Sequence, residues 1–207
     1  MSKSQLKSKE RVRDFGEVFT AEREVKAMCD LVKPVINEID STVLEPACGD
    51  GNFLVEILAR KLKTAYRIAG KNDADFEYFA TRTFCSVYGV DIQEDNIDDA
   101  RKRMFDNFFA FYVRRYNHKP SRICLDSIDF ILTQNIQCGN TLTGKDADDN
   151  DLIITKWFFD KNNGLTISLF RFMDLVENGC YCEPAETLPT IPYFMLPAIR
   201  KKDKEGK

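Results

Sequence analysis

Apolar positions along the chain recur with two periods, and the alternation between them lays out the elements. From Thr20, which suits a helix N-cap, Val25, Met28, Leu31, Val32 and Val35 return at helical spacing, and Pro34 marks a kink or an end. Thr42 to Glu45 is a short β-branched and apolar run that leads through Pro46 into the turn Gly49-Asp50-Gly51, a strand followed by a glycine loop. Phe53, Leu54, Ile57, Leu58 and Leu62 then form one apolar stripe, so the loop opens directly into an amphipathic helix. After a polar stretch from Gly70 to Asp75 come a helical segment, Phe76 to Phe84, and a second buried strand, Ser86 to Asp91. Ile97, Ala100, Met104, Phe108 and Phe111 keep the helical period, as do Leu125, Ile128, Ile131 and Leu132. Short strands are expected at Ile136 to Cys138 and at Leu152 to Thr155.

Strands alternating with helices predict an α/β fold with a doubly wound, mostly parallel sheet. Beyond Gly164 the pattern weakens, and Pro184, Pro189, Pro192 and Pro197 make the last quarter extended or loop. The expected organisation is a basic, flexible segment at 1–15, one core at 16–165 and an irregular Pro-containing extension at 166–207.

Composition narrows the picture. A chain of 207 residues with 43% hydrophobic content buries one compact core and leaves little room for a second domain. Its net charge of -3 and pI near 5.4 supply no overall cationic field, so nucleic-acid binding does not follow from bulk charge. Lysines and arginines crowd the two ends, from Lys3 to Arg13 and from Arg200 to Lys207, where solvated tails are the simpler reading. The seven cysteines fall at irregular spacings without CxxC pairs, which predicts reduced thiols and no metal site. The N-terminus lacks an apolar signal core and no run approaches the ~18 residues of a membrane span, so a cytoplasmic protein is expected.

In an open α/β sheet ligands sit outside the carboxyl ends of the strands, where the loop Glu45-Pro46-Ala47-Cys48-Gly49-Asp50-Gly51-Asn52 falls. Gly49 and Gly51 let the backbone approach a ligand without Cβ interference, and the amides opening the next helix suit a carboxylate or phosphate. A dinucleotide fingerprint needs a third glycine for close helix-strand packing, and Leu54 stands there instead. Asp91, ending the second strand, offers a carboxylate to a ribose diol, or alternatively caps the helix that follows.

Val43 to Leu54 closely resembles the first motif of the adenine-N6 DNA methyltransferases of restriction-modification systems. Gly16-Glu17-Val18-Phe19-Thr20 resembles the segment that precedes the glycine loop in that family, Tyr88-Gly89-Val90-Asp91-Ile92 its ribose-binding segment, and Cys138-Gly139-Asn140-Thr141-Leu142 its adenine-contacting segment. The four stand in family order over roughly residues 15–145. The resemblance implies a Rossmann-like class I methyltransferase core that binds S-adenosylmethionine. Phe19 and Thr20 would contact its methionine part, and Glu45 with the Pro46-Ala47-Cys48 turn and the Gly49 to Gly51 backbone its amino and carboxylate groups. Asp91 would hold the ribose, and Ile92 and Asn140 the adenine. Asn140 has a plain alternative as a turn residue after Gly139. DNA would be the substrate, and a specificity, restriction or second methyltransferase subunit a partner.

One element of the family pattern is absent. Methylating an exocyclic amine requires that the nitrogen be oriented and polarised beside the sulfonium methyl, which the family does with an NPPY-type tetrapeptide. No proline here follows Asn, Asp or Ser. Lys156-Trp157-Phe158-Phe159-Asp160 supplies aromatics and a carboxylate, and Thr190-Ile191-Pro192-Tyr193-Phe194 a proline and aromatics, but both read first as plain structure. No catalytic residue is assigned, and a catalytically silent cofactor-binding module is the alternative function. His118 reads as a solvated surface residue. Asp146, Asp148, Asp149 and Asp151 lack the glycine and distal glutamate of a calcium loop.

Overall fold

A computed structural model describes residues 11, 13 and 20–199. Helix α1 (Glu22–Leu31) and the single turn α2 (Lys33–Ile36) lead to strand β1 (Val43–Glu45) and the long α3 (Asn52–Ala69). Then follow α4 (Asp73–Cys85), β2 (Val87–Asp91), α5 (Glu94–Tyr116), α6 (Arg122–Asn135) and β3 (Ile136–Cys138). A second group comprises β4 (Ile153–Phe159), β5 (Gly164–Arg171), α7 (Phe172–Asn178), β6 (Glu186–Thr187) and β7 (Ile191–Pro192).

The first three strands form a parallel sheet in the order β1-β2-β3, with Val43 opposite Val87 and Gly89 opposite Ile136. Parallel pairing follows from helical crossovers, since α3 and α4 separate β1 from β2, and α5 and α6 separate β2 from β3. Alternation along the strands sets the two faces. Val43, Val87 and Ile136 pack on the helical layer, where Leu54, Leu58, Leu62, Ile97, Met104 and Phe108 are fully buried. Tyr88 and Val90 point the other way, onto Leu152, Ile154 and Phe172. The core also holds a run of aromatic contacts in which Phe76 lies 5.7 Å from Phe111 and 5.8 Å from Tyr112. Such pairs add about 0.5–1.5 kcal/mol each beyond area burial.

The structure corrects the expected fourth strand. The sequence places it at Leu152 to Thr155 in the parallel sheet, but β4 runs on to Phe159 and pairs antiparallel with β5 in a separate sheet. Among the described residues the class is mixed α/β, with three parallel strands. β5 also fills residues 164–171, where the sequence reading found only weakening order. Its buried Leu165, Ile167 and Phe170 give it a covered face, and a four-residue turn joins it to β4. The stripe expected on the first helix breaks as well, since Met28, Leu31, Val32 and Val35 are exposed and Val25, Cys29 and Ile36 carry the burial. Pro34 begins a new turn there, so the helical phase is not continued.

Two glycines set how tightly the glycine loop packs. Gly51, the N-cap of α3, holds φ 87°, and an added Cβ would meet Cβ of Ala100 at 3.0 Å and its Cα at 3.1 Å. Gly51→Ala is expected to lower the unfolding free energy by about 1–2 kcal/mol from the left-handed backbone alone, read as a lower urea midpoint. An unchanged midpoint would mean that the loop relaxes around the methyl group. Gly89 on β2 supplies the close approach that a third loop glycine would otherwise provide: a Cβ there would lie 2.7 Å from Leu54 Cδ1 and 3.1 Å from Cys48 Sγ. The small residue sits on the strand rather than the helix, which is why Leu54 is tolerated.

Candidate functional site

β1, β2 and β3 end together, and the loops leaving them enclose a crevice of about 580 Å³, a size suited to a nucleoside-scale ligand. Thr20, Glu45, Pro46, Ala47, Cys48, Gly49, Asp91, Ile92 and Asn140 all line it. Gly51 stands behind the loop, where it packs on Ala100. Phe19 lies outside the described residues.

Asp91 is the hinge of the arrangement. Its Oδ2 accepts the Gly49 N–H at 2.9 Å, and its Oδ1 accepts the Gln93 N–H at 2.9 Å and the Asn96 amide at 3.2 Å. An ionised carboxylate offers about four lone-pair positions, so Asp91 closes the glycine loop and retains capacity for about one more donor. The turn reading of this residue is observed, since it caps the turn into α5, and its carboxylate also lines the crevice.

The remaining walls differ in character. Ile92 is half exposed and presents an apolar surface. The first turn of α3 has neither a side-chain cap nor an acidic residue, so its opening amides remain suited to an anion. Burial pushes the Glu45 carboxyl above its ordinary range, opposed by a hydrogen bond from Ala47. Asn140 Oδ1 accepts the Leu142 N–H at 2.9 Å, the turn-forming role weighed from sequence, while Thr141 Oγ1 donates to the Pro46 carbonyl at 3.2 Å and ties the third loop to the first. Cys48 is buried and its thiol is pushed far upward, chiefly by desolvation, so it is no nucleophile at neutral pH.

Asn52, Phe53, Thr141 and Leu142, quoted within the motifs but given no contact of their own, also line the crevice, and so do Gln93 and Asn96, which sequence reasoning did not single out as site residues. For Gln93 and Asn96 the only signal is nearness to the Asp91 motif. Both stretches considered as substitutes for the absent tetrapeptide have structural partners. Trp157 Nε1 donates to Asn135 Oδ1 at 2.9 Å, Asp160 Oδ1 accepts the Asn162 and Gly164 N–H groups, and Tyr193 packs edge-on against Tyr78. His118 is exposed, with Nε2 3.2 Å from Asp73. Asp146 organises its own loop by accepting the Asp148 and Asn150 N–H groups, and among the described residues no cluster of three or more potential metal ligands occurs. No helix of the described residues is long and apolar enough to cross a membrane.

Comparison with known proteins adds one coarse relationship. The chain is 22% identical over 138 residues to a Methanocaldococcus jannaschii protein named "Putative type II restriction enzyme and methyltransferase". The match covers 63% of this chain and 11% of that protein, so the chain spans about a tenth of its relative's length. No family model and no solved structure matches.

Proposed function

We propose that the chain carries the S-adenosylmethionine-binding core of a DNA adenine-N6 methyltransferase, or of the modification subunit of a restriction-modification system. The observation that supports this reading is the crevice itself, because residues chosen from four separated sequence segments line one cavity at the carboxyl ends of three parallel strands. The fit to an adenosyl sulfonium follows residue by residue. The uncapped start of α3 suits the methionine carboxylate, Glu45 the ammonium, the spare acceptor position on Asp91 a ribose hydroxyl, and Ile92 the adenine face. The distant relative agrees with a restriction-modification methyltransferase at that coarse level, and the proposed Rossmann-like core comprises residues 16–165.

When bound, the cofactor supplies an electrophilic methyl group. What this chain's residues supply is binding and orientation of that group, while the groups that orient the acceptor amine are the part its sequence lacks. β1 carries no strand on its outer edge among the described residues, and that edge ends at the crevice, so amine-orienting groups from another segment or polypeptide have a place to enter. The absence of an NPPY-type tetrapeptide favours a second reading, a silent module that holds the cofactor beside a partner.

Calorimetric titration with S-adenosylmethionine is expected to give saturable one-to-one binding. Absence of saturable binding up to millimolar ligand would overturn both readings. Tritium transfer to DNA, with and without neighbouring gene products, separates the enzyme from the module.

A further inference from the structure

Arg103 projects from α5 to the back of the glycine loop. Its Nη1 donates to the Asp50 carbonyl at 2.5 Å and pairs with the buried Asp50 carboxylate at 2.8 Å, and its Nη2 donates to Asn52 Oδ1 at 2.8 Å. Asn52 then donates from Nδ2 to the Thr20 carbonyl at 3.2 Å. A guanidinium only donates and a carbonyl only accepts, so this chain of bonds admits one orientation of the Asn52 amide. Turned over, its NH₂ would face the guanidinium and its oxygen the Thr20 oxygen, losing both bonds. Thr20 and Asn52 line the crevice, whereas Arg103 does not.

We propose that Asn52, oriented by Arg103, is the positioning residue that fastens the Thr20 wall to the glycine loop, and that this clasp sets how tightly the crevice holds its ligand. The second half rests on the proposed cofactor reading. The first half stands on the bond geometry and is tested separately.

Hydrogen exchange on the full chain reads the clasp without ligand. In Asn52→Asp one carboxylate oxygen still accepts from Arg103, while the other stands in place of Nδ2 opposite the Thr20 carbonyl, to which nothing then donates. An acidic residue opening α3 favours the helix dipole, so the fold as a whole is expected to hold. Exchange of the amides at 25–29, the first that the helix bonds internally, is expected to quicken about tenfold, the effect of one lost hydrogen bond, with β2 and α6 unchanged. Unchanged exchange at 25–29, or an increase spread over the whole chain, would overturn the clasp.

For affinity, Arg103→Lys keeps the charge beside Asp50 but loses the two-pronged grip. It is expected to weaken S-adenosylmethionine binding about three- to tenfold in the native background and not at all in Asn52→Ala, since the two residues act in series. An equal loss in both backgrounds would mean that Arg103 acts independently of Asn52. Absence of cofactor binding by the unaltered chain would instead defeat the functional reading, leaving the exchange result to decide the clasp.

Discussion

Replacing Lys61 by methionine is expected to cost about 3 kcal/mol of stability at neutral pH and to flatten a rise in stability on the alkaline side. Lys61 is fully buried on α3, and its Nζ donates to the carbonyls of Glu38 at 2.7 Å and Ser41 at 2.5 Å and to Ser86 Oγ at 3.0 Å. It thereby ties the connection entering β1 to the start of β2. Methionine fills a similar volume but donates nothing, and the acceptors are mostly backbone oxygens that no substitution removes. Each stranded buried carbonyl costs about 1–3 kcal/mol, offset in part because no ammonium need then be desolvated.

The pH dependence follows from the same burial, which pushes the Lys61 ammonium from 10.5 down to about 8. Between those values the unfolded chain keeps a proton that the folded chain releases, so stability rises with pH across the window and is lost as pH falls through 8. From pH 7.5 to 9.5 the expected gain is about 2 kcal/mol. The buried thiols of Cys48, Cys85 and Cys124 act in the opposite sense above their ordinary values, because burial raises them. The useful quantity is therefore the difference between native and Lys61→Met midpoints in urea at the two pH values. A difference that does not change with pH would show that Lys61 keeps its proton throughout.

The second large effect is expected at Asp91. Asp91→Ala removes the acceptor of the Gly49, Gln93 and Asn96 donors together with any contact to a ribose. S-adenosylmethionine affinity should fall by about 1–3 kcal/mol, roughly 5- to 150-fold, the cost of stranding polar groups in a buried site. Stability without ligand should fall as well, since the glycine loop loses its tie to β2. Titration calorimetry and urea unfolding on the same sample separate the two losses. Unchanged affinity would remove Asp91 from the site, whatever happens to stability.

Much of the candidate site was legible because its parts are local. A strand that ends in Glu45-Pro46, a loop with Gly49 and Gly51, and a helix opening at Asn52 are encoded within a dozen consecutive residues, and the Asp91 and Asn140 segments each repeat the pattern of strand end followed by polar turn. The crevice residues contributed by neighbours, such as Gln93 and Asn96, carry no pattern of their own. Arg103 was invisible for another reason. It lies more than 50 positions from the loop it grips, and on a helix surface an arginine is indistinguishable by periodicity from one that is merely solvated.

The sequence by itself determined helices α3 to α6 and the three parallel strands, because hydrophobic periodicity records which face of each element must leave water, whereas the buried face of α1 and the existence of α7 were not read from it. It also singled out the loop residues, whose backbone freedom and polarity are written in residue type. Only the tertiary structure decided that β4 leaves the parallel sheet for a hairpin with β5, that Gly89 rather than a loop glycine makes room for Leu54, and that Lys61 and Arg103 are built into the fold. Those outcomes depend on which donors and acceptors meet across long stretches of chain, and pairing at a distance leaves no period in a sequence.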